Sequence, residues 1–299
     1  MKIKIILLLL SCSFSSLWGC SHLFYHPSNE FFIKNPEVLN GFKEDVNFSS
    51  LDQTPLTGWY FKSQTKPKHV TVIQFHGNGQ NMTSHFIALA WLTDFGYDFF
   101  AFDYRGYGTS KSDPSQEGLN QDSLAAIRYI MKRTPVKAGA EPDLILYGQS
   151  LGGAVVLRAL GDLTAEERHR IKAVVIESSF HNYKSIAAEY LSRSWITWLF
   201  QPLAYVLISN AYSPEDYISK VSPIPLLVFH GDRDPIIPLR FGEKIFSLAN
   251  PPKKMIVIPK GGHIDAMFID RQKYRLDLLK FFDGAHGGTR TPTSYDTGS

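Results

Sequence analysis

A serine, an aspartate and a histidine, each set in a short glycine-bearing turn, are the residues whose types and spacing could do covalent chemistry in this chain. Ser150 lies in Gly148-Gln149-Ser150-Leu151-Gly152-Gly153, with the apolar run Leu144–Tyr147 before it and Ala154–Arg158 after it. A G-x-S-x-G between a strand and a helix makes a tight turn that lifts the hydroxyl above a sheet edge and beside a helix N-terminus, where negative charge is favoured. A serine hydroxyl is a weak nucleophile and needs a base within hydrogen-bond reach, and that base needs a carboxylate to fix its tautomer. His263, in Gly261-Gly262-His263, is the expected base: of ten histidines only His263 and His286 follow the acid candidate, and His286 lies in the tail. The expected acid is Asp234, in His230-Gly231-Asp232-Arg233-Asp234-Pro235. Asp232 is assigned to capping that turn or pairing with Arg233, and Glu177 stands as an alternative acid at the end of another strand. A developing oxyanion would be met by the backbone N–H of Leu151 and by one from the loop His76-Gly77-Asn78-Gly79, with Asn78 the expected donor.

Residues this far apart can meet only if the elements between them return each turn to one edge. Strand-like runs fall at 45–49, 58–63, 70–75, 98–103, 144–147, 173–177, 226–230 and 255–258, several of them nearly continuous in Val, Ile and Phe as buried strands are. Helix-like segments fall at 81–95, 118–133, 151–161, 238–248 and 264–282. The alternation predicts an α/β fold with a mostly parallel central sheet flanked by helices, whose C-terminal edge collects the three turns. An insert from Phe180 to Ile218, rich in aromatic and aliphatic residues, breaks the rhythm and is expected to form a helical cap, with Pro202 interrupting any helix through it.

The 299 residues carry a formal net charge of +3, and their Lys and Arg are scattered, so nothing points to a nucleic-acid partner. Both cysteines, Cys12 and Cys20, lie in the first twenty residues, which excludes a disulfide framework or a Cys-based metal site in the body. Residues 1–19 read as a signal peptide: Lys2 and Lys4, then an apolar stretch from Ile5 to Trp18 too short to span a bilayer. The segment ends in Leu17-Trp18-Gly19-Cys20, which resembles a bacterial lipobox, although Trp18 is larger than usual there. The expectation is an exported lipoprotein, anchored to the membrane through lipidated Cys20 and facing the periplasm or cell surface; a plain cleaved signal and an uncleaved anchor are the alternatives. Residues 20–43 form a lead-in, 44–283 the catalytic domain with its cap at about 180–218, and 284–299 a tail expected to be disordered.

The motifs HGNG, DYRGYGTS (103–110), GQSLGG, ESSF (177–180), HGDRDPIIP and GGH, over roughly residues 70–282, resemble those of the α/β-hydrolase superfamily, in particular its Bem46-like and monoacylglycerol-lipase-like serine hydrolases. The resemblance implies that Ser150, Asp234 and His263 form a triad, with Asn78 and Leu151 as oxyanion donors. The expected activity is hydrolysis of an ester or related acyl bond through an acyl-enzyme, as in a carboxylesterase or lipase-like enzyme acting on a small-molecule acyl substrate. No metal or organic cofactor is required. Two alternatives are a serine peptidase acting on short peptides, which would want a carboxylate such as Glu177 or Glu189 for the substrate amine, and a non-catalytic surface-tethered interaction protein.

Overall fold

Eight strands build the central sheet: β1 (Lys43–Ser49), β2 (Pro55–Phe61), β3 (Val70–Phe75), β4 (Asp98–Asp103), β5 (Asp143–Gln149), β6 (Ile171–Glu177), β7 (Leu226–Gly231) and β8 (Lys253–Ile258). The computed structural model describes residues 24–33, 42–133 and 143–287. The expected signal peptide, Cys20 and the end of the tail lie outside the described residues. The strand order is β8-β7-β6-β5-β3-β4-β2-β1. From β8 through to β4 all pairings are parallel, and β2 and β1 add an antiparallel edge. All eight strand-like runs of the sequence are therefore strands, in an α/β-hydrolase architecture.

Successive side chains of the central strands point into two separate cores, as a strand covered on both faces requires. On β5, Leu144 and Leu146 pack on one side while Ile145 and Tyr147 pack on the other; on β6, Val174 and Ile176 oppose Ala173 and Val175. The first core is closed by helices α2 (Gln116–Arg133) and α3 (Leu151–Leu160), the second by α9 (Arg271–Gly287) and the segment after β3.

Two helical expectations are corrected. The segment 81–95 is not one helix but α1 (Met82–His85) followed by two 3-10 turns, Phe86–Ala88 and Ala90–Phe95. Its apolar residues Met82, Phe86, Leu89 and Leu92 all reach the core from these short turns, so the pattern reads as helical while the backbone winds more tightly. The last helix begins at Arg271, since residues 264–270 stay in the loop that carries His263, and it runs on through Gly287. A short helix, α4 (Ala165–His169), is closed by a capping box between Thr164 and Glu167.

The insert forms α5 (Tyr183–Ser192), a 3-10 turn at Trp198–Phe200, α6 (Gln201–Leu207) and α7 (Glu215–Ile218). Pro202 sits in the first turn of α6, where its missing N–H leaves no bond unmade. The chain then returns to β7 and α8 (Leu239–Leu248).

Beneath the sheet's C-terminal edge, the loop after β4 is held by buried charge. Arg105 gives two donors to Asp122 Oδ1 at 2.8 and 3.1 Å, and its N–H donates to Oδ2 at 2.8 Å. One residue pair in that layer is neutral. His76 Nδ1 lies 2.8 Å from the carbonyl of Gly77, which can only accept, so Nε2 is the bare nitrogen, 3.4 Å from Asp103 Oδ1. Burial pushes the Asp103 carboxyl up to about 7 and, with His85 nearby, the His76 ring down to about 3. Between about pH 4 and about 7 the folded protein keeps a proton on Asp103 that the unfolded chain releases, so the contribution of Asp103 falls as pH rises. His76, neutral when folded but protonated in the unfolded chain up to about 6.5, contributes the opposite slope and largely offsets it. Urea midpoints should show the stability of the wild type relative to Asp103→Asn falling from pH 5 to pH 7, because the variant lacks only the Asp103 contribution; a difference that does not change with pH would overturn this assignment.

Candidate active site

Ser150 stands at the end of β5 as the residue before α3, with φ +54° and ψ −120°. That conformation is costly for any residue with a Cβ and persists only where the surroundings enforce it. Here the glycines allow it: a methyl at Gly152 would overlap the carbonyl oxygen of Phe75, and one at Gly148 would come within 2.6 Å of the Cα of Gly153. The Ser150 N–H donates to the carbonyl of Glu177 at 2.9 Å, and Ser179 Oγ donates to the Ser150 carbonyl at 2.6 Å.

His263 Nδ1 lies 2.8 Å from Asp234 Oδ2, and Asp234 Oδ1 accepts the N–H groups of Ile236 and Ile237, both at 2.8 Å. Burial works to raise Asp234, but the bond from His263 and the two backbone donors outweigh it, and the carboxyl titrates below its ordinary value. An ionised carboxylate only accepts, so the His263 proton sits on Nδ1 and Nε2 is left free as a base. Asp232 does not take part: its Oδ1 receives the Lys260 N–H at 2.6 Å and joins the loops after β7 and β8.

Glu177 is fully buried and bonds to other partners than His263. Its Oε2 accepts Tyr147 Oη and Gln149 Nε2, both at 2.9 Å, and its Oε1 accepts the Ala266 N–H at 2.9 Å. Gln149 in turn accepts Gln74 Nε2 at 2.8 Å, so a polar chain crosses β3, β5 and β6 under the serine turn. Burial pushes the Glu177 carboxyl up. Next to it, Ser178 Oγ accepts the Ile264 N–H at 3.3 Å. Ser178 and Ile264, like Ser150, have positive φ, at +49° and +53°. The sequence presents Glu177 as a rival acid; in the structure it braces the histidine loop from below.

Above Ser150 lies a cavity of about 440 Å³. Leu151 and Asn78 line it beside the serine, and Phe180, Ile186, Leu203 and Leu207 of the cap and its approach supply apolar wall. Two further lining residues, Phe24 and His26, come from the lead-in segment, which composition and periodicity gave no reason to place here. Residues His26–Pro27 pair in parallel with Gly79–Gln80, directly after Asn78. The Asn78 side chain is committed to this contact: Nδ2 donates to the Phe24 carbonyl at 2.6 Å, while Oδ1 accepts Tyr107 Oη at 2.8 Å and the His26 N–H at 3.3 Å. With Oδ1 and one Nδ2 hydrogen committed to this contact, the backbone N–H of Asn78 remains the donor expected for an oxyanion. The one sequence signal for this contact is the polar side chain of Asn78 itself, between two glycines.

Comparison with known proteins bears on the family and the fold. The family described as serine aminopeptidase, S33, matches residues 66–222. The uncharacterized protein YfhR of Escherichia coli (strain K12) is 39% identical over 265 residues, covering 87% of this chain and 86% of that protein. This chain belongs to that α/β-hydrolase family. Protein bem46 of Schizosaccharomyces pombe is 29% identical over 245 residues, covering 80% and 76% of the two chains. In fold, the chain is similar to the Pyrococcus furiosus esterase Pf2001, with a TM-score of 0.64 at 19% identity over 87% of this chain and 96% of the other. As a member of this family the protein is a hydrolase.

Replacing Asn78 by Ala removes the hydrogen bonds that hold Phe24 and His26. Amide exchange at His26 and Ser28 should accelerate roughly tenfold or more while the rest of the sheet is unchanged, since each bond contributes about 1 kcal/mol. Unaltered exchange would mean that the pairing with Gly79–Gln80 suffices alone.

Proposed function

We propose that the protein hydrolyses carboxylic esters of apolar acyl groups through Ser150, His263 and Asp234. The observation that carries this reading is the cavity over Ser150, apolar in most of its lining and without an acidic residue among its described lining residues. His263 Nε2 takes the Ser150 proton as the hydroxyl attacks the acyl carbonyl, and Asp234 stabilises the imidazolium through Nδ1. The backbone N–H groups of Leu151 and Asn78 receive the tetrahedral oxyanion; one such donor typically contributes about 10²–10³ in rate. The alcohol leaves with the proton from His263, and water activated by the same nitrogen releases the acid from the acyl-enzyme.

A peptidase taking a free α-amine would need a carboxylate facing the cavity. Glu177 lies buried below the site, and Glu189 is engaged by Arg240 and, at 3.6 Å, by Arg193. Both observations favour an acyl ester over a peptide. A fluorophosphonate probe should label the wild type, and Ser150→Ala should abolish labelling and lower ester turnover by at least about 10⁴. In a panel of p-nitrophenyl esters and aminoacyl amides, medium-chain esters should be the better substrates. Faster cleavage of the amides would replace this reading by the peptidase one.

The body is also proposed to sit at a membrane through its N-terminus. Cys20, in Leu17-Trp18-Gly19-Cys20, supports a lipid anchor, because an acylated residue there would hold the chain four residues before Phe24. Fractionation of cells should find the wild type with membranes and Cys20→Ala in the soluble exported fraction; membrane association that survives the substitution would count against lipidation.

A further inference from the structure

The cap carries more exposed apolar surface than its own packing explains. Between Trp195 and Leu207, nine large apolar or aromatic side chains are each 45–85% exposed, led by Trp195 at 85%, Val206 at 78% and Leu199 at 68%. No Asp, Glu, Lys or Arg occurs from Trp195 to Ile208. Single exposed apolar residues are ordinary, but a run of this kind marks a surface that meets another apolar phase. The composition suits a bilayer interface: Trp195, Trp198 and Tyr205 have flat rings with one polar atom, the type that settles at headgroup depth, while Leu199 and Val206 supply aliphatic surface.

Two further observations say which phase. The run is continuous with the cavity, because Phe200, Leu203 and Leu207 both line it and are half-exposed on the cap surface. The same cavity is lined by Phe24, whose ring packs 5.4 Å from that of Tyr183 on the cap helix α5. Cys20 precedes Phe24 by four residues, a span of at most about 14 Å of extended chain. A membrane that holds the N-terminus is therefore within reach of the cap.

We propose that residues 195–207 form a docking surface for a phospholipid bilayer, with the mouth of the cavity turned toward the lipid. Trp195, Leu199 and Val206 insert at the level of the headgroups and upper acyl chains, while Arg193 stays on the protein side, donating to the carbonyls of Pro235 and Ile236 at 2.7 and 2.5 Å. An acyl substrate could then pass from the bilayer to Ser150 without crossing water. The orientation rests on the anchored N-terminus proposed above; the docking surface itself does not require catalysis.

The body lacks cysteine, which allows a single reporter. Val206→Cys in the full chain carrying Cys12→Ala and Cys20→Ala is labelled with an environment-sensitive NBD dye, and Lys66→Cys, exposed before β3 at the opposite end of the sheet, is the reference. On addition of phosphatidylethanolamine–phosphatidylglycerol vesicles, emission at position 206 should shift to the blue and rise severalfold, with no change at position 66. Adding Trp195→Ser and Leu199→Ser should raise the lipid concentration needed at least about tenfold. The same pair should leave hydrolysis of a soluble short-chain ester within twofold, since neither residue lines the cavity. Lack of a vesicle response at position 206 overturns the proposal. So does a label already buried before lipid is added, which would place another segment of this chain on the patch. A shift that follows protein concentration without lipid overturns it too, in favour of a second copy. Because Cys20 is replaced throughout, failure of the anchor and failure of docking are read separately, and the soluble ester reports hydrolysis independently of both.

Discussion

The C-terminal end of β6 is the fixed point from which the site is hung. Within three residues, Glu177, Ser178 and Ser179 bind the serine turn through one backbone and one side-chain bond, and the histidine loop through a carboxylate and a hydroxyl. Burying a carboxylate is costly unless every oxygen is satisfied. Glu177 meets that condition with three donors drawn from β5 and the loop after β8, so the cost falls on any arrangement that displaces either element. Three positive-φ residues, Ser150, Ser178 and Ile264, cluster on this bracket. Backbone strain of that kind persists where tertiary bonds over-determine the loops, and here the bonds are explicit.

A second constraint comes from above. The cap is joined to the acid loop by Arg193 and to the lead-in by the contact of Phe24 with Tyr183, and the lead-in is joined to the oxyanion loop by Asn78. The cavity wall is thus made of three segments that are remote in sequence, each tied to a different part of the proposed machinery. This arrangement gives a physical route by which a contact at the cap surface or at the N-terminus could be felt at Ser150 and Asp234.

Much of this was legible in the residues. The eight strands announce themselves because strands buried on both faces must be continuously apolar, and short runs of Val, Ile and Phe bounded by turns have few other uses. The serine turn is equally legible, since only glycine fits where the chain passes against Phe75 and Gly153. Less was legible where one residue type serves two ends. Glu177 ends a strand in the same way whether it orients a histidine or braces a loop. The segment 81–95 shows a helix-like spacing of apolar residues that tight turns satisfy as well. The lead-in has no periodic pattern, because its contacts are made by backbone atoms and by one distant asparagine.

By itself, then, the sequence determined the α/β-hydrolase class, the strand inventory and the choice of Ser150, Asp234 and His263 as candidates, since these follow from local apolar pattern and from turns that tolerate only certain residues. The tertiary structure decided the pairing of Asp234 with His263 rather than Asp232 or Glu177, the commitment of the Asn78 side chain to Phe24 and His26, and the exposure of the cap from Trp195 to Leu207. Those outcomes depend on which carboxylate faces which ring and which apolar face finds a partner. Both are properties of the folded distances, not of order along the chain.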